Sequence, residues 1–465
     1  MTRRLIRRAL ALAPLALLAA CATGPAYERP ALDLPQAWKE SAPPFAQDGR
    51  WWRIYGDSRL DAVVDEALAN NADLAVAVAR VDEARALVGE AESGFYPTLD
   101  ARGSATRQQN SQKTATFFPG IPTRFNDYRA TLNVSYELDL FGRIRAGARA
   151  ARAELEASEA ARDGVRLALA AQVAKSYFTL RALDEQVLLT RRTLALREEA
   201  LGLQKKRFEG GVLSEFDYRQ LEADTATTRA QLPPLERDRE REQAALLVLL
   251  GKSPKDVFQD AVARKVAENE EPSPPVVPAG MPSELLLRRP DLVQAERQLA
   301  AANARIAQAR AEMFPSISLT AALGSESAAL GNLFSAGSGL WALGLGLAQP
   351  IFAGGRLEAA TQAAEARERQ AVAQYVKAIQ NAFSEVRAAL SAQARERESY
   401  DAQSVRAAAL TDTLRLARLR YDNGIASQLD VIDAERGLLA ARSARIEALR
   451  AHRAAIADLF RALGG

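Results

Sequence analysis

The sequence predicts a membrane β-barrel joined to a long α-helical coiled-coil barrel, built as a tandem structural repeat with four transmembrane strands per protomer. Three observations lead to that expectation. The stretch "RFEGGVLSEFDYRQLEA" at 207–223 recurs as "RYDNGIASQLDVIDAER" at 420–436, an offset of 213. Four short segments alternate apolar with polar or small side chains, the period of a strand with one face in each environment. Long segments rich in Ala, Arg, Glu and Leu carry apolar stripes at a spacing near 3.5 residues, the period of a coiled-coil seam.

The chain opens with Arg3, Arg4, Arg7 and Arg8 ahead of "ALALAPLALLAA". A positive segment followed by an apolar run too short to cross a bilayer is expected to be a signal peptide, 1–20. Removing those four arginines from the 61 basic residues leaves one base fewer than the 58 acids. The formal charge of +3 therefore belongs to the export signal, and a nucleic-acid partner is not expected. Cys21 is the only cysteine, so intramolecular disulfides and multi-cysteine metal sites are excluded. Leu18, Ala19, Ala20 and Cys21 resemble a bacterial lipobox, in which the cysteine is acylated. An ordinary secretory signal with an incidental cysteine is the alternative. Two or three acyl chains, at roughly 0.8 kcal/mol per buried CH₂, would tether the chain stably. Ala22, rather than Asp, follows the cysteine, which in bacterial lipoproteins resembles sorting to the outer membrane. Residues 21–57 are expected to form a lipidated, extended N-terminal segment.

Two copies of one unit follow. "NADLAVAVARVDEARALVGEAESGFYP" (71–97) aligns without a gap on "RPDLVQAERQLAAANARIAQARAEMFP" (289–315), an offset of 218. "DLFGRIRAGARAA" from Asp139 echoes "PIFAGGRLEAATQAA" from Pro350, with two extra residues in the second copy. Three blocks in the same order indicate a tandem duplication, with a first repeat at 58–250 and a second at 291–465. Between them, 251–290 contains "EEPSPPVVPAGMP" and reads as a linker with short elements. Each repeat reads helix, strand, strand, long helix, tip turn, helix.

The strands are expected at about 96–107 and 128–140, then at about 315–324 and 340–350. Ala130, Leu132, Val134, Tyr136 and Leu138 oppose Arg129, Thr131, Asn133, Ser135 and Glu137. In the second repeat Trp341, Leu343, Leu345 and Leu347 oppose Ala342, Gly344, Gly346 and Ala348. Segments of about ten residues, apolar on one face, match tilted strands of a water-filled barrel in lipid. A half-buried sheet in a soluble domain shows the same alternation. The helices favour the barrel. From about Ile144 to Phe208 there is no proline, and Leu169, Val173, Leu180, Leu183, Val187 and Leu194 form a stripe with Ser176 and Thr190 in its polar places. Val372, Val376, Ile379, Phe383, Val386 and Leu390 form another. With 48% apolar and 26% charged residues, the chain is no bundle of apolar membrane helices. Four strands cannot close a barrel, and an open edge in lipid leaves unpaired backbone groups at several kcal/mol each. The chain must oligomerise, two copies giving eight strands and three giving twelve.

The turns at 208–214 and 421–427 carry local helix-ending chemistry. Gly211 and Gly424 can take the left-handed conformation that ends a helix. Ser214 and Ser427 are N-cap candidates, with Asp217 and Asp430 at capping-box spacing. Leu213 with Tyr218, and Ala426 with Val431, occupy hydrophobic-staple positions. Catalytic chemistry finds little support. The one histidine, His452, lies in the final helix. "GKS" at 251–253 has Leu246 where a phosphate loop needs its first glycine, and Pro254 follows. Carboxylates alternate with arginines as solvated helix faces. No enzyme activity, cofactor or metal site is expected.

"WWRIYGDSRLDAVVDEALANNADLAVAVARVDEAR", "SELLLRRPDLVQAERQLAAANARIAQARAEMFPSISLTA" and the two turn motifs resemble the outer membrane efflux proteins, the TolC-like outer membrane factors. The lipobox and "GPAYERPALDLPQAW" are similar to the lipoprotein, NodT-type branch that serves drug-efflux pumps. The resemblance covers the whole mature chain. It implies a homotrimer with one shared twelve-stranded barrel in the outer membrane above a helical periplasmic tunnel. Such proteins are passive exit ducts that dock a periplasmic adaptor and work with an inner-membrane transporter, in this branch proton-driven. It further implies that the tips around Gly211, Ser214, Asp217, Gly424, Ser427 and Asp430 face the adaptor. Family members close the periplasmic end just before the second tip, which makes Asp412, Leu416 and Arg420 gate candidates, with pairing of Arg420 and Asp422 at the exposed tip as the plain alternative. A duct for type I protein secretion, or a non-channel coiled-coil lipoprotein, are the other readings.

Overall fold

The computed structural model describes residues 27–30, 49–113, 118, 120, 122–259, 262 and 287–465. Cys21, the signal segment and most of 260–286 lie outside them. The elements are α1 (Ser58–Asn70), α2 (Ala72–Ser93), β1 (Thr98–Gln109), β2 (Arg124–Leu138), α3 (Arg143–Glu209), α4 (Glu215–Leu249) and α5 (Pro254–Gln259). There follow α6 (Pro290–Ala311), β3 (Ser316–Ser327), β4 (Gly339–Ala348), α7 (Arg356–Asp422) and α8 (Gln428–Leu463). The chain divides into two compact units. The first takes Arg80–Glu159 and Gln294–Val376 with the N-terminal segment, and the second takes Leu32–Ala79, Ala160–Val293 and Lys377–Gly465.

The duplication is visible in the element bounds. α2 and α6 are both 22 residues long and start 218 apart, at Ala72 and Pro290. β1 and β3, at Thr98 and Ser316, keep that offset, and each has 12 residues. α3 and α7 both have 67 residues and start at Arg143 and Arg356, 213 apart.

In the first unit, β1 to β4 form one antiparallel sheet in the order β1-β2-β3-β4. Its registers sort the side chains. Leu99 lies opposite Val134, Val134 opposite Ala321, and Ala321 opposite Leu343. Ala101, Leu132, Leu323 and Trp341 make the next row. On the other face, Asp100, Asn133, Ala322 and Ala342 align, beside Arg102, Thr131, Gly324 and Leu340. Because a one-residue slip would invert a strand, these registers are what keep one face apolar and the other polar or small apart from Leu340 near the start of β4. Leu99, Leu132, Leu323, Trp341, Leu343, Leu345 and Leu347 are all exposed in the protomer. The polar face is crowded. A Cβ at Gly324 would stand 2.1 Å from the Ala130 carbonyl oxygen, and one at Gly346 would stand 2.8 Å from Ser318 Oγ. On this face Arg129 pairs with its cross-strand partner Glu326 at 2.5 Å.

The ladders run past the expected strand limits. β1 continues to Gln109, β2 begins at Arg124 rather than 128, and β3 continues to Ser327. These ends are polar, so hydrophobic alternation fades there while backbone pairing persists. The helices of this unit meet through Arg152–Glu92, Arg297–Glu156, Arg305–Glu154 and Arg310–Glu365 ion pairs. Phe141 stacks on Phe314, centroids 4.9 Å apart, where strands give way to helices. Arg29 donates to both carboxylate oxygens of Glu296, pinning residues 27–30 to α6.

The second unit has an aromatic core. Trp51, Trp52 and Tyr55, on a short 3-10 turn, pack with Leu60, Val64, Leu169, Val173, Tyr177, Phe178, Leu246 and Phe460. Trp51 stacks on Phe460 at 5.1 Å. Asp57 caps α1, accepting the Arg59 and Leu60 N–H groups, and accepts Tyr177 Oη and Arg181 Nη1, each at 2.9 Å. The stripe residues Leu169, Val173, Ser176, Leu180, Val187 and Thr190 are buried, while Leu183 and Leu194 are half-buried. Their period therefore marks the seam along which α3 packs.

Candidate functional site: the helix tips

α3 and α4 form one hairpin and α7 and α8 another. Both turns use the same bonds. At the first, Val212 N–H donates to the Arg207 carbonyl and Gly211 N–H to that of Phe208, each at 2.9 Å, with Gly211 at φ +73°. At the second, Ile425 N–H donates to Arg420 and Gly424 N–H to Tyr421, again at 2.9 Å, with Gly424 at φ +71°. This is the Schellman arrangement, in which a left-handed residue satisfies the last free carbonyls of a helix. A residue with a Cβ is strained at that φ, which accounts for glycine at both places.

The entries to the returning helices differ. Ser427 makes a full capping box: its Oγ accepts the Asp430 N–H at 3.3 Å, and Asp430 Oδ2 accepts the Ser427 N–H at 2.8 Å. The Ser427 hydroxyl also donates to Asp430 Oδ2 at 2.7 Å, and this bond together with that from the Ser427 N–H holds the Asp430 carboxyl below the usual carboxylate range, helped by Arg420. Ser214 Oγ accepts the Asp217 N–H at 3.1 Å and donates to Asp217 Oδ2 at 2.6 Å. Tyr218 lies flat on Phe208 across the first turn, centroids 5.2 Å apart. Val212, Phe216, Ile425 and Leu429 are exposed, so each tip presents apolar side chains beyond its cap.

Just before the second tip, Asp412, Leu416 and Arg420 are exposed on α7 at four-residue spacing, one face of the helix. Asp412 Oδ1 lies 3.6 Å from Arg415 Nε. No ion pair joins Arg420 to Asp422 among the described residues, and the Arg420 charge helps to hold the Asp430 carboxyl low.

A buried charge cluster behind the tips is absent from the sequence reading. Arg197 Nη1 lies 2.7 Å from Asp224 Oδ2, and Arg197 also donates to Thr228 Oγ1. Asp224 Oδ1 accepts Arg436 Nε at 2.6 Å. Glu435 pairs with Arg418 at 2.7 Å. Arg197 and Asp224 are each only 4% exposed. The cluster thus draws on α3, α4, α7 and α8. Its partners are far apart in sequence, and nothing in local spacing marks one Arg or Asp among so many.

A profile of the outer membrane efflux protein family matches residues 63–252 and 281–465, one segment in each repeat. The chain is 36% identical over 462 residues to the probable efflux pump outer membrane protein TtgC of Pseudomonas putida, covering 97% of this chain and 93% of that one. It is 33% identical over 454 residues to the cation efflux system protein CusC of Escherichia coli, covering 96% of each. Among solved structures, a membrane protein from Pseudomonas aeruginosa superposes with a TM-score of 0.86 at 34% identity, covering 96% of this chain and 100% of that one. The Campylobacter jejuni CmeC outer membrane channel gives 0.86 at 27% identity, covering 96% and 95%. With both repeats matched and the full fold shared, the chain belongs to the outer membrane efflux proteins, non-enzymatic channels of the bacterial outer membrane.

Proposed function

We propose that the chain assembles as a homotrimer whose four-stranded sheets close one twelve-stranded barrel, and that this trimer is the exit duct of a tripartite efflux system for drugs or other small molecules. The observation that carries the reading is the sheet itself. Its registers gather Leu99, Leu132, Leu323, Trp341, Leu343 and Leu345 on one exposed face and charged, polar or small residues on the other. A bilayer requires the first face and an aqueous lumen the second. Among the described residues β1 and β4 each leave one edge unpaired, and only closure satisfies those groups in lipid. Efflux of toluene, antibiotics and cations is named for relatives of this chain.

In this reading Cys21, which lies outside the described residues, carries the lipid anchor. The tips around Gly211, Ser214, Asp217, Gly424, Ser427 and Asp430 meet a periplasmic adaptor. Their exposed Val212, Phe216, Ile425 and Leu429 offer it apolar contacts. An inner-membrane transporter, proton-driven, loads the duct. Asp412, Leu416 and Arg420 form the periplasmic constriction. Purified protein placed in planar bilayers tests the duct. Discrete conductance steps are expected, and a protein that inserts without conducting would overturn the proposal.

A further inference from the structure

The two halves of the sheet are related by the duplication, and this fixes more than the number of strands. β1 and β3 are equivalent at an offset of 218, Thr98 corresponding to Ser316. The hairpin registers then define how β2 maps onto β4. Leu99 pairs with Val134, and its equivalent Ile317 pairs with Leu347, which is 213 beyond Val134. The same 213 separates the starts of α3 and α7. The pairing of β2 with β3 inside one protomer is the seam between the two repeats. Closure of the barrel requires a second seam, between β4 of one protomer and β1 of the next.

We infer that β4 pairs with β1 of a second copy in the register obtained by carrying the β2–β3 seam across the repeat, with Leu345 opposite the neighbour's Ala105. This rests on the trimeric duct proposed above. Val134↔Ala321 becomes Leu347 opposite Gly103, and Leu132↔Leu323 becomes Leu345 opposite Ala105. On the other face, Thr131↔Gly324 becomes Gly344 opposite Thr106, and Arg129↔Glu326 becomes Ala342 opposite Gln108.

Two independent features agree with this register. It keeps the apolar set of β4 on the same side as the apolar set of β1, which any register displaced by one residue would not. It also matches side-chain size on both faces. On the lipid side, the leucines at 345 and 347 meet Ala105 and Gly103. On the lumen side, Ala342, Gly344, Gly346 and Ala348 meet Gln108, Thr106, Ser104 and Arg102. The lumen face has little room inside a protomer, where a Cβ at Gly344 would stand 2.7 Å from Thr320 Oγ1. A strand of small residues beside one of long polar residues extends that economy of space across the seam.

Paired cysteines test the register. Within one protomer β1 and β4 lie on opposite edges, three strand spacings or roughly 14 Å apart, too far for a disulfide. A cross-link between them therefore joins two copies. Leu345→Cys with Ala105→Cys, and Ala342→Cys with Gln108→Cys, are the matched pairs. Being three residues apart, one of the two falls at a narrow pair and the other at a wide one, so one has favourable geometry in either phase. Leu345→Cys with Ser104→Cys is displaced by one residue, and Leu345→Cys with Gly103→Cys or Arg107→Cys by two. Single-cysteine variants control for Cys21. Membranes are oxidised and run on non-reducing gels, and the mass of each purified variant in detergent is measured by light scattering. Covalent dimers and trimers are expected from at least one matched pair, at tenfold or more over every displaced pair. A trimer that cross-links as well through a displaced pair, or through none, refutes the register and leaves the duct standing. A monomeric mass refutes the trimeric duct itself.

Discussion

Arg436 on α8 donates from Nε to Oδ1 of Asp224 on α4 at 2.6 Å, a bond across 212 residues that joins the helical hairpin of one repeat to that of the other. Asp224 Oδ2 faces the buried Arg197 at 2.7 Å, so one carboxylate serves two guanidinium groups. Removing it leaves the buried Arg197 charge with only a long 4.0 Å ion pair from Nε to Glu435, since Nε and Nη2 of Arg197 already lack hydrogen-bond partners. Asp224→Ala is therefore expected to destabilise the helical hairpins by about 3–5 kcal/mol. Arg219→Ala, which removes the exposed pairs with Glu215 and Glu222 and the guanidinium lying over the Tyr218 ring, is expected to move the midpoint far less. Denaturant midpoints followed by helical circular dichroism compare the two, and equal shifts would contradict the assignment.

His452 predicts the direction of a pH dependence. It is 1% exposed, and neither ring nitrogen is hydrogen-bonded. Burial, with Arg397 and Arg453 nearby, holds its pKa below the usual histidine value, and Asp401 opposes this only in part. As pH falls through about 6.5 the unfolded chain takes up a proton there while the folded chain stays neutral. Stability contributed by the neutral ring is thus lost on acidification. His452→Leu also removes an orphaned buried donor, worth about 1–3 kcal/mol. The variant should unfold at higher denaturant than wild type at pH 5, with a smaller advantage at pH 8. The same advantage at both would show that the histidine does not titrate in this way.

The sheet predicts which substitutions lipid tolerates. Leu132, Val134 and Leu345 share the apolar face, and Asn133 and Ser135 the polar one. Arginine at Leu345 is expected to cost roughly 2–4 kcal/mol near the bilayer midplane, and much less at Asn133. Refolding into vesicles measures the difference. Cysteines at Asn133 and Ser135 should react with a water-soluble reagent, and those at Leu132 and Val134 should not. Labelling that ignores the alternation would remove the barrel assignment.

The anchor is tested at Cys21. Cys21→Ser is expected to abolish acylation and leave a soluble or uncleaved precursor, with partial function where the barrel still inserts. Mass spectrometry of the wild-type protein checks the premise, and a chain without lipid would exclude it.

Features set by local chemistry could be read from the sequence. A Schellman turn needs a glycine at one position, and the cap after it needs Ser and Asp three apart, so eleven residues from Arg207 to Asp217 suffice. Strand faces were readable for the same reason, since alternation has period two. They faded where the ladder continued through Thr106 to Gln109 on backbone bonds and a polar cross-strand contact, Arg124 Nε to Gln109 Oε1. The two-residue insertion placed near Pro350 by alignment does not extend into strand pairing, where the hairpin registers hold the offset at 213. Tyr218, expected at a staple position with Leu213, stacks on Phe208, because the turn brings the last ring of α3 over this residue in the first turn of α4. The Arg197–Asp224–Arg436 cluster was illegible because its members come from three helices. No local pattern sets them apart from the solvated pairs around them.

The periplasmic constriction is the last prediction. A permanently open duct would leak periplasmic contents, so a narrowing is required somewhere along it. Asp412, Leu416 and Arg420 lie on one exposed face of α7, immediately before the second tip. In the proposed trimer threefold symmetry would turn each inward residue into a ring of three. Leucines at 416 would form an apolar collar, and the flanking Asp412 and Arg420 rings would carry opposite charge, so the passage would be narrow and discriminate ions. Among the described residues Asp412 pairs only with Arg415, at 3.6 Å and with both side chains largely exposed. That pair is worth less than about 1 kcal/mol, so alanine at 412 costs the fold little. Leu416→Ala and the triple alanine variant are expected to fold normally, conduct more than wild type in planar bilayers and render cells permeable to large antibiotics. If alanine at each of Asp412, Leu416 and Arg420, singly and together, leaves conductance and permeability unchanged, the constriction is built by other residues.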